Sequence, residues 1–142
     1  MRLLVVVATG AMLLGDLAWA ADSDVRRAGE WQVTIMGANG KPNPPRNYCY
    51  AARSVADITR SIGDCSRNNI TKVGATTTIN ASCTKAGHQI SLNMVLTSMG
   101  ETAYRARVHA TYSPPIGTMS RMDMVAESKW LGPCPAGVAP VH

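Results

Sequence analysis

A period-two alternation of apolar and polar positions dominates the chain after residue 75. Across residues 101–112, Tyr104, Ala106, Val108, Ala110 and Tyr112 share one face, and Arg105, Arg107, His109 and Thr111 share the other. Across residues 88–97, Ile90, Leu92, Met94 and Leu96 oppose Gln89, Ser91, Asn93 and Thr97. Across residues 121–131, Met122, Met124, Ala126 and Trp130 oppose Arg121, Asp123, Glu127 and Lys129. A period of two with one dry and one wet face predicts strands of an antiparallel sheet. Trp31, Val33 and Ile35 predict an earlier strand, and Thr77, Ile79, Ala81 and Cys83 another.

The connections agree with this pattern. Ser98-Met99-Gly100 has hairpin length, Val73-Gly74 and Ala86-Gly87 mark turns, and Pro114-Pro115 followed by Gly117 predicts a longer loop. Residues 41–45 carry Pro42, Pro44 and Pro45, which offer no donor to a ladder and exclude a central strand. One helix is expected within residues 51–62, where Val55, Ile58 and Ile62 fall on one face. The tail after Cys134 reads as a short frayed end. The expected fold is all-β: a single antiparallel curved sheet closing as a small barrel or sandwich, with one short helix and two disulfides.

Residues 1–20 of the 142 have the pattern of an export signal. Arg2 supplies the positive start, an apolar stretch follows, and Ala18-Trp19-Ala20 is a small-x-small cleavage site. Cleavage after Ala20 leaves residues 21–142 as a single β domain in the periplasm, with no further membrane span. Cys49, Cys65, Cys83 and Cys134 all follow the leader, and an even number in an oxidising compartment reads as two disulfides. Four cysteines allow three connectivities; Cys65–Cys83 with Cys49–Cys134 is favoured.

Composition adds two features, no Phe against eight Met, and a net charge of +5. Thioethers suit soft metals such as Cu(I), so Met119, Met122 and Met124 with His88 form a candidate copper site. Filling a Phe-free core is the favoured role for these methionines, because flexible Met packs irregular space well. A basic strip lies on the wet face of one strand, where Arg105, Arg107 and His109 are candidate ligand-binding residues, while Arg53, Arg60 and Arg67 lie elsewhere. Tyr104 and Tyr112 point to the other face, so a nucleic-acid partner is not expected. No nucleophile elbow, zinc-protease motif or glycine-rich phosphate loop occurs, and no catalytic residues or cofactors are assigned.

The landmarks Gly29-Glu30-Trp31, Tyr48-Cys49, Asp64-Cys65, Cys83 and Trp130-Leu131-Gly132-Pro133-Cys134 come in an order that resembles a family. It is a bacterial family of small exported four-cysteine proteins of unknown function, domain of unknown function thirty-six seventeen. The resemblance spans residues 28–134 and implies an exported, mainly β, disulfide-bonded domain, with no activity attached. The functional expectation is a non-enzymatic periplasmic protein that binds a small apolar or lipid-like ligand. The alternatives are the soft-metal site and an interaction module for another envelope protein.

Overall fold

The computed structural model describes residues 24–37 and 39–141. The leader expected at residues 1–20 lies outside the described residues. In chain order the elements are β1 (Asp24–Arg26), β2 (Gly29–Ile35), β3 (Arg46–Tyr50), β4 (Arg53–Ser54), α1 (Val55–Ile62), β5 (Asp64–Val73), β6 (Thr76–Lys85), β7 (His88–Ser98), β8 (Ala103–Ile116) and β9 (Met119–Gly132). Seven strands make one antiparallel sheet in the order β3-β2-β9-β8-β7-β6-β5, while β1 and β4 pair separately. Strands β5 to β9 are thus a meander, and the N-terminal hairpin β2–β3 adds to its last strand. No helix among the described residues is long and apolar enough to cross a membrane.

The sheet is open, with β3 and β5 at its edges, so the expected closure into a barrel or sandwich is not reached. The C-terminal tail covers one of these edges. Val141 bridges Tyr50 in parallel; its N–H donates to the Cys49 carbonyl, and the Ala51 N–H donates to the Val141 carbonyl. The tail expected to fray therefore adds to the edge strand β3.

The alternating runs became β7, β8 and β9. Their dry face supplies Ile90, Leu92, Leu96, Ala106, Val108, Ala110 and Ala126 to the core, beside Ile79, Ala81 and Cys83 of β6. Helix α1 lies on that face. Ile62 packs against the cluster of Cys83, Ile90, Leu92 and Ala110, and Ile58 against Ile79, Leu96 and Ala106. Ser54 starts the helix by accepting from the Asp57 N–H, while the Asp57 carboxylate accepts from the Ser54 N–H, a reciprocal capping box.

Two further differences from the sequence reading have simple causes. Pro114 and Pro115 lie within β8 rather than in a loop, at the stretch where its ladder with β9 slips between Thr111 and Ile116. Prolines are tolerated there because the slipped ladder asks for no donor. Strand β5 was not expected, since its sequence shows no dry face. It is an edge strand with Ile70 and Val73 exposed and polar residues along its length. The structure forms Cys65–Cys83 between register partners of β5 and β6, and Cys49–Cys134 between β3 and the segment after β9.

Candidate functional site

Helix α1 covers only part of the apolar face, and beside it lies a cavity of about 620 Å³. Register explains its floor. Met94, Val108 and Met124 align across β7, β8 and β9, and Leu96, Ala106 and Ala126 align in the next row. Val33 extends the floor onto β2, and Ile58 of α1 forms a wall. The space exists because two of these positions are alanine. A larger side chain at Ala106 or Ala126 would take up part of it.

One end of the cavity is built differently. There Arg26, Arg53, Tyr50 and Tyr104 line it; Lys72 of β5 also lines the cavity. Strands β1 and β4 pair so that Arg26 stands opposite Arg53. The Arg26 guanidinium lies 3.6 Å from the centre of the Tyr50 ring, a cation–π contact. Its Nε and Nη2 are buried and meet no hydrogen-bond partner among the described residues. Burial is the largest influence on this group and lowers its pKa from the ordinary arginine value; the Tyr104 hydroxyl, a hydrogen-bonding neighbour, acts against that. Burial likewise pushes the Tyr50 phenol up, with the Arg26 charge opposing.

Two tryptophans hold Arg26 in place. Trp31 and Trp130 are register partners on β2 and β9. The Trp31 indole N–H donates to the Arg27 carbonyl at 3.0 Å, and the Trp130 indole N–H donates to the Ala28 carbonyl at 3.2 Å. The Arg27 guanidinium covers the Trp130 ring at 3.7 Å. Both indoles thus fasten the short link between β1 and β2. Gly29 completes the fastening: its φ is +139°, and a Cβ there would run into the Trp130 indole and the Gly132 carbonyl. The Gly-x-Trp start and the Trp-x-Gly-x-Cys end of the domain therefore meet at one place, and that place carries Arg26.

The residues expected from sequence to bind ligand lie elsewhere. Arg105, Arg107 and His109 are exposed on the opposite parity of β8 from the cavity floor. Arg105 faces Glu127 at 3.7 Å, and His109 pairs through Nδ1 with Asp123, which also takes Arg121 at 2.9 Å. The His109 hydrogen bond, then the Arg121 charge, hold the Asp123 carboxyl below its ordinary range. The strip is a partly neutralised outer face and does not reach the cavity.

The candidate copper ligands occupy different places on the sheet. Met122 and Met124 pack against the core cluster, as the core-filling reading expects. Met119 is exposed at the start of β9, three residues away on the other parity. His88 Nδ1 lies 2.8 Å from the Pro114 carbonyl, which can only accept, so Nδ1 carries the proton. Among the described residues no group of three or more His, Cys, Asp and Glu side chains is placed to hold a metal ion.

Sequence reasoning missed Arg26, Tyr50 and Lys72 as site residues, and placed Arg53 on the helix. The available signal was the pair of tryptophan motifs, whose meeting fixes the segment that carries Arg26.

These features define a small, disulfide-linked, open-sheet β protein with an apolar cavity and a cationic end. Residues 26–134 match the family described as protein of unknown function, DUF3617, and the chain belongs to that family. No curated protein and no solved structure matches the chain.

Proposed function

We propose that this is an exported, periplasmic, non-enzymatic binding protein that holds a small apolar or lipid-like molecule in the cavity beside α1. The carrying observation is the cavity itself, about 620 Å³ above an apolar floor of Val33, Met94, Leu96, Ala106, Val108, Met124 and Ala126. That volume is within the usual range of small-molecule sites, roughly 300–1,000 Å³. Two methionines in the floor suit it to an occupant of variable shape, since the thioether side chain adapts its rotamers. The leader pattern of residues 1–20 supports export, and the two disulfides point to an oxidising compartment.

Protein purified from its own periplasm tests this by native mass spectrometry and solvent extraction. The expected result is a co-purifying apolar or amphiphilic compound. After its removal the protein should bind the neutral fluorescent probe N-phenyl-1-naphthylamine. Ala126→Phe, which fills the floor, should weaken that binding about tenfold, equivalent to about 1.4 kcal/mol, with circular dichroism unchanged. A bare mass together with no probe binding would overturn the proposal.

A further inference from the structure

The cationic end of the cavity is an unusual use of charge. Arg26 and Arg53 stand directly opposite each other on a two-stranded ladder, where like charges repel. Lys72 lines the same cavity, and no carboxylate among the described residues lines it with them. Asp57, whose charge reaches Arg53, is already engaged by the Ser54 N–H and hydroxyl and by Arg60 at 2.9 Å. A partly desolvated cation without a counter-charge costs stability.

Two guanidinium nitrogens of Arg26, Nε and Nη2, are buried without a hydrogen-bond partner among the described residues, which adds to the cost of its charge. The Tyr50 ring supports the plane of the guanidinium, and the Trp31 and Trp130 indoles fix the segment behind it.

We infer that the cavity takes an anionic amphiphile: its carboxylate or phosphate head pairs with the positive charges of Arg26, Arg53 and Lys72 that line the cavity, and its hydrocarbon chain lies over Met94, Val108 and Met124. This rests on the proposed function, and it adds the head-group chemistry that the apolar floor does not specify. The polarity of binding follows from the fold, with the head toward β1 and β4 and the chain toward α1 and the meander.

Displacement of N-phenyl-1-naphthylamine by dodecanoate, dodecyl phosphate and dodecanol, each below its micelle-forming concentration, separates head from chain. On the wild-type protein at least one anion should displace the probe about tenfold more effectively than dodecanol, and the better of the two tells a fatty-acid head from a phosphate head. Added salt should reduce this preference, because Lys72 and Arg53 act partly through exposed, screened charge. Arg26→Gln should bring the anions to within about twofold of dodecanol, weakening them more than it weakens dodecanol or the probe. Arg26→Lys, which keeps the charge, should recover most of the preference.

If the three compounds displace the probe equally from the wild type, the head-group inference is overturned and the apolar site stands. If Arg26→Gln weakens dodecanol as much as the anions, Arg26 shapes the cavity rather than reading the head, which also overturns it. Failure of the wild type to bind the probe overturns the site itself. Should Arg26→Gln fail to fold, the Arg53→Gln/Lys72→Gln variant carries the same test. Loss of part of the preference supports the inference, and an unchanged preference overturns it.

Discussion

A single hydrogen atom at Gly29 governs how the two ends of the domain come together. Any larger group would strike the Trp130 indole and the Gly132 carbonyl, and the backbone there sits at φ +139°. Gly29→Ala is therefore expected to cost about 1–3 kcal/mol from backbone conformation alone, read as a lower Tm. Because the same substitution displaces Trp130, it should also weaken anion binding more than it weakens the neutral probe. Two carboxylates act at this scale through pH. Hydrogen bonds from the Ser54 backbone and hydroxyl lower the pKa of Asp57, and the His109 hydrogen bond lowers that of Asp123. In the native state both stay ionised below the ordinary aspartate value of 3.8, where the unfolded chain has taken up protons. The stability they contribute is complete above that value and disappears as pH falls through their lowered native pKa values. Tm measured against pH should drop more steeply in this acid window for the wild type than for an Asp57→Asn/Asp123→Asn variant.

Elements differ in how openly they were written. Strands β7, β8 and β9 were legible because each buries one face only, so the side-chain period of two shows in the sequence. Strand β5 was not, because an edge strand with exposed Ile70 and Val73 has no buried face to mark. The helix was legible through Ile58 and Ile62, but its start at Val55 is set by Ser54, which turns Arg53 and Ser54 into a short strand facing β1. Ser54→Ala should cost about 1 kcal/mol through loss of the cap, seen as a lower Tm, and should loosen the β4 side of the cationic end. That end was not legible at all. The Trp130–Ala28 hydrogen bond spans 102 residues, and no local period reports a contact of that separation. The apolar floor could be anticipated from alternation, whereas the space above it depends on which floor positions hold alanine and how far α1 reaches.

For the molecule as a whole, the edges of an open sheet need management, since unpaired strands invite pairing with other chains. At β3 the tail and the Cys49–Cys134 disulfide, with a sequence separation of 85, do this together. A Cys49→Ala/Cys134→Ala variant should lose about 2–5 kcal/mol, the usual range for a native disulfide in a small secreted domain. Hydrogen exchange should show the protection lost first at residues 46–51. Strand order carries a temporal consequence as well. Hairpin β2–β3 comes early in the chain, yet its neighbour in the sheet is β9, the last strand made. Pairings of such long range are slow to form, and the Trp31–Trp130 clasp around Arg26 must wait for them. The end of the cavity that carries Arg26 is therefore completed only when the first part of the chain meets the last strand.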